Sequence, residues 1–305
     1  MNFGLSEDQS SILAGLDQLL AAQAPDAPTL PVTAFHGAEL DQALAESGFL
    51  DIAREDGFGA LDAALVVERL ARLPCTVEAA ASAIVAPALD IPAGLRPIAL
   101  AAAPAAPARF LPMARALVYA RGDEAVLVEV EPADIEPIET LFAYPYGRLR
   151  APERVETRVV GEAATLRRRW RIALAVEASG CMAAALDAVL EHVKTRYAFG
   201  RPLGAFQAIQ HRLAMAAETT EAAKWLALRA AYSDNEGDGA VAAGFAQDRI
   251  AKLTYDLHQF CGAMGLTLEF PLHLWTYRLR ALAGELGGAS AQSRAAAAAA
   301  WPDAA

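Results

Sequence analysis

Apolar residues at Leu174, Met182, Leu186, Val189, Leu190 and Val193 recur near helical spacing, and Ile209, Leu213 and Leu226, with alanines between them, do so again after a short break. The break holds Gly200, Pro202 and Gly204, so it reads as a tight connection between antiparallel helices. The pattern predicts four long helices here: about 162 to 196, about 206 to 233, a third ending near Cys261, and a fourth beginning near Glu269 and Pro271. The polar run from Ser233 to Gly239, SDNEGDG, suits a hairpin tip between the second and third. Short loops imply an antiparallel four-helix bundle. Toward the start, Ser6 with Glu7 and Asp8 opens a helix whose face is Ile12, Leu13, Leu16, Leu19 and Leu20. Pro25, Pro28 and Pro31 break it. Leu40–Leu50 is a short helix closed by Gly48, a turn follows at Asp56, Gly57 and Gly59, and Leu61–Leu73 is a further amphipathic helix. Pro74 restarts the chain into an apolar helix ending near Pro87. From about 91 to 160 prolines cluster, and strand-like runs stand at 116–120, 125–130 and 155–160. The expected architecture is mainly α: a helical domain over 1–95, a small β-domain over 96–161, and the bundle with its tail over 162–305.

Composition narrows this picture. A length of 305 residues permits a large core. Hydrophobic residues make up 55%, and abundant alanine favours helix. A net charge of −11 argues against nucleic acid and anionic membrane surfaces as partners, though a local basic pocket is compatible with an anionic substrate. Cys75, Cys181 and Cys261 have no metal spacing and fit free thiols in a reducing cytoplasm. No metal spacing is found among His192, His211, His258 and His273 either. The opening MNFGLSEDQS does not read as a signal peptide, and no run of 18 apolar residues lacks proline or charge, so no membrane span is expected. Ala295–Ala300 and the terminal WPDAA read as a frayed end.

The connection itself carries chemistry. Residues 196–214, RYAFGRPLGAFQAIQHRLA, combine two permanent cations suited to phosphate, Arg196 and Arg201, with apolar Phe199 and Phe206 and the amide of Gln207. The stretch resembles the FAD-binding turn of the acyl-CoA dehydrogenase family. That resemblance implies that Arg196, Phe199 and Gln207 reach the FAD pyrophosphate and adenosine across a subunit interface, with His211 packing or orienting a neighbour. HQFCGAMGLTLEFPLHLW, 258–275, is similar to a second FAD segment of the family, with Gln259, Gly262 and Gly265 matching and Ala263 replacing a glycine. Ala43–Leu50 and Ala64–Arg72 resemble the family's N-terminal helices, whose Glu68 reads as a solvated or interface charge. The middle is where the chain departs: it is much shorter, and it lacks both the T-E-P-x-A-G-S-D and the W-[IV]-[TS]-N-G runs that hold the flavin ring and the acyl-CoA.

The family reaction requires a carboxylate to take the α-proton of an acyl-CoA thioester. At one family position for this base, GELGG at 284–288, ungapped matching places Leu286, with Glu285 one residue early and about 100° round a helix. At the other stands Trp170. Glu177, seven residues on and on the same face, lies in the apolar run ALAVEASG and is the catalytic candidate; the alternative is a buried structural carboxylate paired with an arginine. The basic run Arg167, Arg168, Arg169 and Arg171 reads as a solvated or intersubunit face, with a CoA or FAD phosphate as the other option, and Trp225, Trp275 and Tyr277 read as core. The resemblance implies a subunit of a heteromeric acyl-CoA dehydrogenase, of the kind acting on steroid or bile-acid side chains. Its partners are a full-length subunit that holds the flavin ring and an electron-transfer acceptor protein. The alternatives are a self-sufficient enzyme with Glu177 as base, and a non-catalytic scaffold.

Overall fold

The fold is seen in a computed structural model, and the description covers residues 4–27 and 35–302. Helix α1 (Glu7–Gln23) starts in a capping box, in which the Ser6 hydroxyl accepts from the Gln9 N–H and the Gln9 side chain accepts from the Ser6 N–H. Of the three expected proline breaks, Pro28 and Pro31 lie outside the described residues. Helix α2 (Ala38–Glu46) stops before Gly48, whose φ of 79° needs a glycine, and a 3-10 stretch (Phe49–Arg54) leads to α3 (Ala60–Ala71). The helix expected after Pro74 is reduced to a π turn (Ala81–Val85) and a 3-10 turn (Ala86–Ala88). The cause is local. The Thr76 N–H donates to the Phe35 carbonyl and its own carbonyl accepts from Gly37, which holds Thr76 in an extended bridge.

The β-domain has two sheets. The larger has the order β1 (Ile98–Ala101), β3 (Ala116–Arg121), β4 (Glu124–Glu129), β7 (Arg158–Glu162), with β1 parallel to β3 and the rest antiparallel. The smaller has the order β2 (Ala108–Arg109), β6 (Tyr146–Leu149), β5 (Ile135–Ile138). Alternation along the larger sheet sends Ala99, Leu117, Tyr119, Val126 and Val128 toward the smaller one, while Ile98, Ala116, Val118 and Leu127 face the helices. Both faces are covered, which is why β3 and β4 are nearly continuous apolar runs. The expected strand at 155–160 begins only at Arg158.

Helix α4 (Ala163–Thr195) is the axis of the molecule, packed by α3, by the larger sheet, and by α5 (Gln207–Ser233), α6 (Glu236–Cys261) and α7 (His273–Gly284). Its middle, residues 172–186, is nearly all apolar and buried on every side. By length and composition the helix is apolar enough to cross a membrane, and 83% of that stretch is buried inside the protein. α3 crosses α4 at Gly180, where a Cβ would lie 2.5 Å from the Glu68 carbonyl oxygen. Glu68 is itself buried, beside Arg72 at the α3–α4 contact, so of the two readings the solvated one is excluded.

Three further readings are corrected. The alanine-rich stretch is not frayed: α8 (Gly288–Ala300) packs along α6, and the fully buried Gln292 accepts from Arg171 at 2.7 Å and donates to the Leu286 carbonyl, while residues 303–305 of the expected frayed end lie outside the described residues. The basic run is not an open face. Arg168 and Arg169 clamp Asp234, and Arg171 pairs with Glu236, so these arginines anchor the α5–α6 turn within the chain. Trp225 is 40% exposed, whereas Trp275 is core as expected. The three cysteines are free and buried.

Candidate functional site

Functional side chains gather at two places in the fold, and these lie apart. The first is the middle of α4. Glu177, 5% exposed, points from α4 toward the β-domain. Arg109, from the two-residue strand β2, brings Nη1 to 3.1 Å from both of its carboxylate oxygens, and the Tyr144 hydroxyl donates to Oε1 at 2.6 Å. The same guanidinium turns its Nε edge to Glu285, with Nη2 3.4 Å from Oε2. The Trp170 indole N–H also donates to Glu285, at 2.9 Å. Arg278 closes the cluster, its Nε 3.4 Å from the Tyr144 oxygen while its Nη groups donate to the carbonyls of Ala71 and Leu73 where α3 ends. Two carboxylates thus face two guanidiniums. Burial opposes the charge on Arg109, but Glu177 and Glu285 outweigh it and hold the group protonated well above the usual arginine range.

This geometry corrects the reading of Glu285. α7 ends at Gly284, and Leu286 (φ 52°), Gly287 and Gly288 all have positive φ. The 100° step of a continuing helix does not apply, and the turn swings Glu285 into the cluster. The glycine doublet was the available signal. Trp170, Glu177 and Glu285 therefore converge, joined by Arg109 and Tyr144, which periodicity did not single out. The cavity left among them, lined also by Glu78, Phe110 and Leu174, is about 20 Å³, room for about one water. A general base needs a free lone pair within reach of the proton it takes. Both oxygens of Glu177 are already engaged by Arg109, one of them by Tyr144 as well.

The cluster's neighbours carry a pH signature. Burial pushes the Tyr146 hydroxyl up to about 12 and the Cys181 thiol to about 11, and burial with the Glu177 charge raises Tyr144 further. A group whose folded value is raised contributes stability below its ordinary value and loses it as pH climbs through the raised one. Stability is therefore expected to fall between about pH 9 and about pH 12. In an alkaline titration followed by phenolate absorbance and circular dichroism, Tyr144 and Tyr146 should ionise only as the fold is lost. Ionisation of all seven tyrosines near pH 10 with the fold intact would contradict this.

The second place is one end of the bundle, where α4 and α6 finish and α5 and α7 begin, about 28 Å along α4 from Glu177. A miniature hairpin pairs β8 (Tyr197–Ala198) with β9 (Arg201–Pro202) and carries Phe199 at its tip, left-handed (φ 53°) and 94% exposed. The Arg201 guanidinium lies 4.1 Å from the Phe206 ring centroid, and Phe206 meets Phe199 edge to face at 6.2 Å. Arg196 and Gln207 are exposed beside them. From α6, Gln259 and Gly262 are exposed too, with nothing within 4 Å of a Cβ at Gly262. The His192–Phe270 ring contact at 5.2 Å ties the two segments together. Gly265 serves packing, since a Cβ there would meet the His258 carbonyl oxygen at 2.9 Å, and His258 is held by Gly265 and Thr276. His211 is exposed. Among the described residues no group of three or more His, Cys, Asp or Glu is placed to hold a metal.

Comparison with known proteins bears on both places. Residues 165–300 match the family model described as acyl-CoA dehydrogenase, C-terminal domain. The chain is 35% identical over 122 residues to the acyl-CoA dehydrogenase FadE34 of Mycobacterium tuberculosis, a match covering 38% of this chain and 17% of that protein. Two similar solved structures are a steroid ACAD described as Tcur3481-Tcur3483 (TM-score 0.76, 22% identity, 98% of this chain and 99% of that one) and the ChsE4-ChsE5 complex from Mycobacterium tuberculosis (TM-score 0.73, 19% identity, 96% and 97%).

Proposed function

We propose, from the premise that this chain carries an acyl-CoA dehydrogenase C-terminal domain in an acyl-CoA dehydrogenase fold, that it is one subunit of a heteromeric, FAD-dependent acyl-CoA dehydrogenase. The observation that carries this reading is the contrast between the two places. At the bundle end, Arg196, Gln207, Gln259 and the Phe199 ring are exposed, with Arg201 stacked on Phe206 beside them. In the middle, a space of about 20 Å³ has no room for a flavin ring or an acyl chain. The segment between β1 and β2, residues 102–107, is all alanine and proline and offers no side-chain donor.

The residues at the bundle end fit the adenosine and pyrophosphate half of FAD. Arg196 would face the pyrophosphate as a charge-assisted donor, Phe199 would cover the adenine, Gln207 and Gln259 would hydrogen-bond the polar edge, and Gly262 would let backbone approach closely. The flavin supplies a hydride acceptor for α,β-dehydrogenation of an acyl-CoA thioester. The ring and the base belong to a full-length partner subunit, which passes electrons to an electron-transfer acceptor protein. A steroid or bile-acid side chain is the substrate class this reading favours, supported by the steroid and paired-chain descriptions of the similar structures. Three buried free thiols suit a cytoplasmic setting.

The test is flavin absorbance and mass, measured on the chain alone and after co-expression with a full-length family member. About one FAD per pair of unlike chains, and none in the lone chain, is expected. In the mixed complex Arg196→Ala should weaken FAD binding roughly 10- to 100-fold, the worth of one hydrogen bond to a charged group. Flavin and turnover in the lone chain would return Glu177 to the role of base and reject the shared site; flavin content untouched by Arg196→Ala would favour a scaffold.

A further inference from the structure

We propose that Arg109 is a built-in plug: its guanidinium fills a cation pocket between Glu177 and Glu285 and so ties the smaller sheet to the helical body. The three residues come from unrelated parts of the chain. Arg109 stands 68 residues before Glu177 and 176 before Glu285, on a strand of the smaller sheet, while both carboxylates belong to the helical body.

The fit is that of a ligand in a receptor. The Nη1 group spans both Glu177 oxygens, and Nε and Nη2 address the two oxygens of Glu285, so a fork meets two carboxylates from adjacent sides. The Tyr144 ring lies beneath the guanidinium, 4.5 Å from centroid to Cζ, and adds a cation–π floor. Glu177 and Glu285 are oriented by other donors as well, Tyr144 and Trp170. The walls are therefore not shaped by Arg109 alone. A thioester or an acyl chain has no complementarity to this pocket. A small planar cation does.

A merely structural ion pair makes a different prediction from a plug in a pocket. If the receptor persists without its plug, a free guanidinium ion can take the vacated space. The experiment uses the full chain with Arg109→Ala and measures thermal unfolding in guanidinium chloride at low millimolar concentration, against sodium chloride and tetramethylammonium chloride at equal ionic strength. The variant is expected to unfold roughly 6–12 °C below the parent. Guanidinium should raise its midpoint saturably, while the two control salts should not, and the parent should show no rise. Adding Glu285→Gln to the variant should weaken the response at least about tenfold in concentration. Should Arg109→Ala fail to fold, Arg109→Gln, which keeps part of the stem and a donor, carries the same titration. An unchanged midpoint on removing Arg109, or a loss that guanidinium does not restore beyond the control salts, overturns the proposal. The lone chain suffices for these measurements, so their failure is distinguishable from failure of the shared flavin site.

Discussion

Arg278→Ala is expected to lower the folding free energy by about 3–5 kcal/mol, the usual consequence of removing one member of a buried charged network. The guanidinium is 2% exposed and serves two regions at once. Its Nη groups satisfy the Ala71 and Leu73 carbonyls at the C-terminal end of α3, carbonyls that a helix end leaves without intrahelical partners. Its Nε reaches the Tyr144 oxygen, and its charge balances one of the two carboxylates around Arg109. Alanine leaves the Ala71 carbonyl without its main donor and leaves two buried carboxylates facing one cation. The Trp275 indole still reaches the Arg72 and Leu73 carbonyls, so the α3 end is weakened and not released. Arg278→Lys should recover little, because an ammonium cannot fork to two carbonyls and a hydroxyl. Equilibrium denaturation measures the difference, and a loss under about 1 kcal/mol would mean that water replaces the guanidinium in all three roles.

Gly180→Val should be at least as severe, about 3 kcal/mol or more, since overpacking against rigid backbone cannot be relieved by a side-chain rotation. Even a methyl would sit 2.5 Å from the Glu68 carbonyl oxygen and 2.7 Å from the Ala71 Cβ. Helix propensity favours alanine over glycine at an interior position by up to about 1 kcal/mol, so Gly180→Ala is partly compensated and Gly180→Val, being β-branched, less so. The clash pushes α3 away from α4 and with it the N-terminal helices. Limited proteolysis should then cut between α3 and the β-domain at native temperature, and intact protection there would fault this account.

The bundle was legible because its helices are long and its breaks are made of glycine and proline, which act locally. Gly200, Pro202 and Gly204 announced the α4–α5 turn, and the residues around it carried the flavin resemblance. Strands β3 and β4 were legible for the same reason, being runs of valine and leucine between turn residues. Strands β1, β2 and β6 were not, because alanine, glycine and arginine carry no strand preference, and these segments are extended only by pairing with distant partners. The ion cluster was half legible. Glu177 stood out as a charge in an apolar run, and its pairing with an arginine was among the readings. Which arginine depended on a two-residue strand, and Glu285 was hidden by assuming that a helix continued through Gly287 and Gly288. The terminal helix escaped notice because alanine has no polar contrast; a single buried glutamine, Gln292, docks it.

The apolar axis helix also sets an order of events during synthesis. α4 emerges from the ribosome before α5 and α6, so its widest flanks wait for roughly 65 more residues, about 3–13 s of translation, before their cover arrives. Throughout that interval the nascent chain exposes a long apolar helix that the finished fold buries. The N-terminal helices and the larger sheet, already made, can shield one side of it early. Docking of α3 onto α4 at Gly180 is the earliest helical cover that the order of synthesis allows this face.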